Sequence, residues 1–312
     1  MAQAESTPRR TCGTMLIHRD LLSADAAYAV ARSEIENLAL GVEEGFREVA
    51  PRGVVTMPVV VHILYRDTAH DISDDQVISQ IEVLNQDFRM TNPDIDSVPE
   101  PFKPFVADAR VQFELATTDP EGNETSGITK TETTHSQFSA HEETVKTGSA
   151  GGHDPWPSDR YLNIWVCELI TSVAGPLLGY AEFPGCPPHL DGVVIRDLMF
   201  GTTGTASPPF DRGRTTTHEV GHWLNLHHLW GDDGNGCQVS DFVHDTPNQL
   251  EPNYNTPSFP RVSCPDAAPN GDMFMNYMDY VDDACMCMFT AGQVARMDAT
   301  LAGPRSSFVT NG

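Results

Sequence analysis

The sequence predicts a mixed α/β domain of the α+β kind, preceded by a separate N-terminal segment. Three observations lead there. The run Val59-Val60-Val61-His62-Ile63-Leu64-Tyr65, behind Pro58, is short, β-branched and apolar, the pattern of a buried strand. Further strand patterns alternate with two long helical ones. The stretch from Gly231 to Asp272 is so rich in Gly, Asp, Asn and Pro that regular structure should be sparse there.

Ala24 to Leu40 reads as a helix, with Ala27, Val30, Ala31, Ile35 and Leu38 at helical spacing and Gly41 at its end. Pro51 to Gly53 reads as a linker, which divides the chain into 1–56 and a domain over 57–312. Ser73-Asp74-Asp75-Gln76 resembles a capping box. It opens a helix to about Asn85 or Phe88, striped by Val77, Ile81, Leu84 and Phe88. Val111 to Ala116 is a strand and Asp119 to Asn123 a turn. Thr131 to Pro157, polar and Gly-rich, reads as a surface excursion. Tyr161 to Leu169 alternates like a strand, with Leu162, Ile164 and Val166 on one face, and Gly192 to Ile195 is a further short strand. A long irregular stretch such as 231–272 needs another staple, and disulfides and calcium are the candidates. The chain shows no internal repeat.

Composition excludes several classes. Of 312 residues, 44 are acidic and 19 basic, a net charge of -25, and Lys103, Lys130 and Lys146 are the only lysines. Phosphate contacts need clustered Lys and Arg, so nucleic acid is not an expected partner. The plain meaning is a soluble, self-repelling surface; the sharper one is salt adaptation. No run of about 18 apolar residues exists to span a membrane. Met1 to Arg10 is polar and lacks the apolar core of a secretory signal. Three alternatives stay open: a signal already removed, a start other than the native one, or a protein that stays inside. Seven cysteines without a CxxC pair favour an oxidising, extracellular setting, and the odd count leaves at least one without a partner in the chain.

The decisive stretch runs from Thr215 to His228. On a helix, His218 and His222 lie four residues apart on one face. Two imidazoles so placed reach one tetrahedral zinc at about 2.0–2.1 Å. Glu219 points beside that face, where it can hold a water at the metal and take its proton. A catalytic zinc takes a third protein ligand and keeps one position open. His228, six residues past His222, is that ligand only if the chain turns sharply after Leu224, and Asn225 is the residue that accepts the positive φ of such a turn. His227 is the neighbouring competitor.

The motif HExxHxxNxxH resembles that of the metzincins, HExxHxxGxxH, which also carry a methionine turn beneath the zinc. Asn276-Tyr277-Met278-Asp279-Tyr280 supplies one, with Met278 as its methionine. Within the metzincins the chain resembles the pappalysin family, in its ulilysin-like branch. The resemblance rests on His218 to Leu224, Trp230-Gly231-Asp232, Asn276 to Tyr280 with Asp282 to Met286, Val83 to Arg89, Tyr161 to Val166 and Gly179 to Pro184, and covers about Pro58 to Met297. It implies a twisted mixed sheet with two long helices above a zinc cleft, an upper part over about 57–228 and an irregular lower part over about 229–312. It implies Tyr280 as donor to the oxyanion, and calcium in the loop after the zinc helix, with Asp241 and Thr246 as side-chain ligands. Asp245 and His244 are further candidates in that loop. A solvated acidic loop is the other reading.

Cys237 and Cys264 are a candidate disulfide closing that loop, and Cys167–Cys186 a weaker pair. The chain departs from the family at Asn225, where Gly is usual, and at Thr256, which stands where the partner of Cys285 is expected. Cys285 is then free or newly paired, beside Cys287. Cys12, in Arg10-Thr11-Cys12-Gly13-Thr14, could put a thiolate in the open metal position and make the N-terminal segment an inhibitory pro-region. Similar Cys-Gly-Thr segments occur near the start of family relatives. An exposed free thiol or a surface disulfide remain as alternatives.

The expected function is zinc-dependent hydrolysis of internal peptide bonds in a protein or peptide substrate. The substrate is expected to add as a strand to the sheet edge, with Gly192 to Ile195 as the candidate. A catalytically inactive binding module that keeps the fold is the alternative, against which Glu219 speaks. A structural zinc protein usually has four protein ligands, and only three are evident. Natural substrate and oligomeric state stay open.

Overall fold

The computed structural model describes residues 9–50, 52–170, 177–265, 268 and 270–310. The polar start over Met1–Pro8 and the first residue of the expected linker, Pro51, lie outside them. Two helices open the chain, α1 (Thr14–Ala24) and α2 (Ala26–Glu43), joined at Asp25, whose carboxylate caps α2 by accepting from the Ala27 and Tyr28 amides. The sequence reading found α2, which runs on through Gly41, and missed α1.

β1 (Val55–Tyr65) begins two residues before the expected boundary and is the axis of the sheet. It pairs in parallel with β2 (Val111–Leu115) and β3 (Ile128–Glu132) along one edge, and with β5 (Leu162–Cys167) along the other. β8 (Val193–Arg196) joins β5 in parallel, and β7 (Gly179–Ala181) closes the sheet antiparallel to β8. Parallel strands covered on both faces read as continuous apolar runs. This is why Val59, Val60, Val61 and Ile63 are all fully buried, and why all of β5, not one face of it, is buried. Two short strands, β4 (Phe138–Ser139) and β6 (Leu169–Ile170), pair separately.

Two helices lie over the sheet. α3 (Asp74–Phe88) starts where Ser73 Oγ accepts the Gln76 amide. Gln76 does not complete the expected capping box, because its side chain donates instead to Phe200 O and Thr205 Oγ1. α4 (Arg214–Trp223) is the motif helix, and the chain closes with α5 (Ala291–Ala302) and α6 (Ser307–Thr310). Between α4 and α5 the chain has a single 3-10 turn, Asp283–Cys285, and is otherwise irregular over its described residues, with Cys237 and Cys264 joined in a disulfide.

Three expectations change. The stretch 131–157 is not a solvated excursion: it carries β4 and buries Phe138, Val145 and Lys146 against the sheet. Cys167 and Cys186 are both buried free thiols rather than a pair. The strand over Gly192–Ile195 is interior, flanked by β5 and β7, so the edge beside α4 is β7. Among the described residues no helix is long and apolar enough to cross a membrane.

Candidate active site

All three motif histidines are buried, and their Nε2 atoms meet: His218–His222 and His218–His228 at 3.2 Å, His222–His228 at 3.1 Å. Each Nδ1 faces an oxygen that can only accept: Tyr277 O at 2.7 Å, Leu226 O at 2.7 Å and Asp232 Oδ1 at 2.6 Å. Nδ1 is therefore the protonated nitrogen, and three Nε2 lone pairs point at one spot. Burial, and then the neighbouring imidazoles, hold His218 and His222 well below the ordinary histidine range, so they stay neutral. Converging lone pairs repel unless a cation sits between them. Nitrogens bound to one tetrahedral zinc lie about 3.3 Å apart, by the usual Zn–N length of about 2.0–2.1 Å. The donor set fits a divalent metal of this kind.

The turn that delivers His228 is a helix C-cap with a left-handed residue. Leu226 N donates to Gly221 O and Asn225 N to His222 O, the paired bonds of a Schellman motif, and Asn225 has φ 76°. Arg296 Nε holds Asn225 O from α5. Both polar atoms of the Asn225 side chain are buried without a partner. His227 turns away from the metal site: its Nε2 faces Glu36, and its ring stacks on Phe183.

Met278 is fully buried beneath the histidines. A Cβ at Gly221 would stand 2.5 Å from its sulfur, so the close approach of the methionine turn to α4 requires glycine there. Asn276 Oδ1 accepts the Met278 amide and shapes the turn. The preceding residue, Tyr277, positions His218 through its carbonyl and donates its hydroxyl to Asp87 of α3. Thr217 Oγ1 and Arg214 Nε of α4 meet the same carboxylate. Asp87 has no role legible in the sequence beyond its place in the stretch 83–89 that carries the resemblance.

Glu219 is buried, and burial pushes its pKa up to about 7 against hydrogen bonds from Cys12 and Thr14. Cys12 Sγ is 3.2 Å from Glu219 Oε2 and Thr14 Oγ1 2.9 Å from it. The Cys12 sulfur and the three histidine nitrogens all lie within 4.8 Å of one another, a ligand set of one thiol and three imidazoles. The Tyr280 ring packs on His218, His228 and Trp230. Its hydroxyl stays protonated, pushed up by burial and by Cys12, Asp232 and Glu219, and it meets the backbone of Cys12.

The N-terminal segment lies along the cleft. Leu178 N donates to Thr11 O, Gly13 N to Gly179 O, and Ala181 N to Thr14 Oγ1, so the segment occupies the free edge of β7. Arg10, almost fully buried, reaches Asp283 at 2.5 Å, Thr215 Oγ1 at 2.9 Å and Val281 O at 3.3 Å, its guanidinium over Phe210.

Asp241 and Thr246 lie together in the loop after α4, both buried, with Thr246 Oγ1 bonded to both carboxylate oxygens and to Val243 O. Asp245 and His244 are not part of this cluster through their side chains. The Asp245 carboxylate accepts from Thr290 Oγ1 and Gly292 N at the start of α5, and the exposed His244 faces Glu43 and Glu44. Cys285 and Cys287 are free thiols.

This geometry agrees with comparisons to known proteins. Residues 147–302 match the family described as pregnancy-associated plasma protein-A. An extracellular metalloprotease of Pyricularia oryzae is 31% identical over 299 residues, covering 93% of this chain and 88% of the relative. One of Arthroderma benhamiae is 31% identical over 249 residues, 78% of this chain and 71% of its own. Among solved structures, a promirolysin mutant of Tannerella forsythia is 44% identical with a TM-score of 0.86, over 96% of this chain and 97% of that one. Mature mirolysin in complex with a cleaved peptide is 47% identical with a TM-score of 0.77, over 82% and 98%.

Asn225 is the one strained element of the histidine set. Asn225→Gly removes the Cβ from a left-handed position and an unpaired amide from the interior, and should raise the melting temperature by about 1–3 °C. Asn225→Val should lose metal affinity, read by metal content after dialysis, because β-branching opposes positive φ. An unchanged metal content in the valine variant would show that the turn does not depend on this residue. The fold, the three-histidine metal site and the relatives agree: the chain belongs to the pappalysin family of metzincins and is a zinc-dependent metalloendopeptidase.

Proposed function

We propose that the chain is the latent form of a secreted endopeptidase that cleaves beside basic residues, with Glu219 as general base and residues before Val55 as a removable inhibitory segment. The observation that carries this is the Cys12 sulfur, grouped with the three histidine nitrogens and bonded to Glu219. With Cys12 gone, His218, His222 and His228 would hold a zinc ion, which would supply water activation, with a water pKa of roughly 7, and polarisation of the scissile carbonyl. Glu219 would take the proton of the attacking water and return it to the leaving amine. Tyr280 donates its hydroxyl to the carbonyl oxygen as negative charge develops on it. The cleft edge of β7 supplies Leu178 N, Gly179 O and Ala181 N, groups that a peptide added as a strand would use in place of the segment. Substrate preference follows from Asp283: Arg10 occupies a buried pocket whose base is this carboxylate, and a basic substrate side chain fits there once Arg10 leaves. The extracellular relatives support secretion.

The segment is held at a second point. Glu36 of α2 meets Arg32, Arg296 of α5 and His227 at one carboxylate. Burial opposes its charge, but His227, Arg296 and Arg32 together hold the carboxyl well below its usual range.

Calcium is proposed at Asp241 and Thr246. A buried carboxylate, a hydroxyl and a backbone carbonyl are hard oxygen donors. Burial pushes the Asp241 pKa up to about 8, a cost that a bound cation would remove.

Three outcomes test this reading. Glu219→Gln should keep fold and zinc content and lose nearly all peptide hydrolysis; wild-type turnover would show that another group is the base. Cys12→Ala should show partial peptide hydrolysis from the start, rising further as the segment is lost, where the wild-type chain gains activity only as the N-terminal segment is lost. A wild-type chain equally active while intact would refute latency. For calcium the sign follows from Asp241, whose folded pKa lies above the unfolded carboxylate value of about 3.9. Without calcium, ionising it destabilises the fold progressively as pH rises from about 4 to about 8. The gain in melting temperature on adding calcium should therefore be larger at pH 8 than at pH 5. An equal gain at both would point to a different site.

A further inference from the structure

Beyond Cys12 the N-terminal segment follows a wall of the catalytic body that the reading above leaves without a role. A Cβ at Gly13 would touch Tyr180 and Leu177. α1 then lays Ile17 into an apolar cluster with Leu177, Tyr180, Phe138 and Val145, and Leu21 packs against it. Between α1 and the body a cavity of about 270 Å3 remains, lined from the body by Lys146, Tyr180, Glu182 and Leu190. This wall lies across the metal site from Asp283, since the segment passes from Arg10 at Asp283, through Cys12 at the histidines, to Ile17. The wall's own cluster loses Ile17 and the packed Leu21 when the segment leaves, but keeps Leu64, Trp165 and Val194 of the sheet together with Phe138 and Val145 as support.

We infer that the wall formed by Leu177, Tyr180 and Leu190 is a substrate subsite for an aliphatic side chain, on the opposite side of the scissile bond from the basic residue. The inference rests on the latency reading, in which the segment lies where substrate will lie. Charge decides the class of side chain. The two ionised groups in the wall neutralise each other: Lys146 Nζ is 2.5 Å from Glu182 and 2.6 Å from Leu190 O, over the rings of Trp165 and Tyr180. Both are almost fully buried under the segment, and paired with each other they present no net charge to the cavity they line. Glu142 and Glu143 line the solvent-exposed mouth of the same cavity. What faces the position of Ile17 is apolar, and burying an aliphatic group there is favourable by the same contacts that hold α1.

Reach sets the position. From Cys12 the path to Ile17 is two steps of at most about 3.3 Å, with Gly13 already in right-handed helical conformation, and three helical steps of about 1.5 Å, so no more than roughly 11 Å. An extended substrate covers that in about three residues. The subsite therefore reads a side chain within about three residues of the scissile bond.

The test is cleavage-site profiling of a randomised peptide library with the processed protein, its new N-terminus located by mass spectrometry. The expected profile has a basic residue at one side of the cut and Leu, Ile or Val within three positions on the other, favoured over Ala or Asp by roughly tenfold in kcat/KM. In Leu190→Asn the ratio between Leu- and Ala-containing peptides should fall towards one, while the ratio between Arg- and Ala-containing peptides set at Asp283 keeps its value. A wild-type profile indifferent to polarity at these positions, or one favouring charged residues, overturns the subsite and leaves cleavage beside basic residues standing. No gain in hydrolysis on loss of the segment overturns the latency reading, and the subsite with it.

Discussion

Three imidazole lone pairs meeting at one point are the constraint on which the rest of this structure depends. Without a cation they repel, so the surrounding chain must hold them together, and every nearby irregularity serves that end. Each Nδ1–H is fixed by an acceptor from a different element: the carbonyl of the methionine turn, the carbonyl after the helix break, and the Asp232 carboxylate. Such partners set both tautomer and ring direction, and a metal ligand without them binds more weakly. The positive φ at Asn225, the bare Cα of Gly221 and the buried sulfur of Met278 all follow from bringing these acceptors close.

The same constraint explains the buried charge beneath the site. Asp87 gathers Arg214, Thr217 and the Tyr277 hydroxyl, and so couples α3, α4 and the methionine turn. Burial pushes the Asp87 pKa up to about 7, in spite of those partners. A group held at such electrostatic cost is poor evidence of stabilisation, and in some proteins buried polar groups of this kind define a unique geometry. Here the geometry is that of Tyr277, whose carbonyl orients His218.

What was legible in the sequence divides along this line. The strands at Val59–Tyr65 and Leu162–Cys167 and the helix after Ser73 announce themselves through local pattern, because burial of one face or both imposes a period. The histidine spacing was legible because metal geometry dictates it. Long-range choices were not. Nothing local says that Gln76 abandons its cap for Phe200, that Lys146 folds under the rim to meet Glu182, or that β8 lies inside the sheet and β7 at its edge. α1 escaped because its apolar residues face a wall built by β7 and the 138–145 stretch, far away in sequence. Cys167 and Cys186, the weaker candidate pair, are buried separately as free thiols, a placement that sequence position alone does not reveal.

On the latency reading, inhibition is spread over several contacts and does not depend on a single thiol. Arg10 fills the Asp283 pocket, Cys12 reaches the histidines, Thr14 bonds both Glu219 and the Ala181 amide, and α2 is pinned through Glu36. Because these contacts belong to one chain, each is made at a high effective concentration once the others are in place, in the millimolar range for short linkers. Breaking one leaves the rest to restore it, so loosening any single contact gives partial activity at most. Severing the chain between α2 and β1 changes the arithmetic. The segment then competes with substrate at its ordinary concentration, and it competes for the same backbone groups of β7 that a peptide would use. The cysteine near the start and the helix α2 then become parts of one device that must leave together.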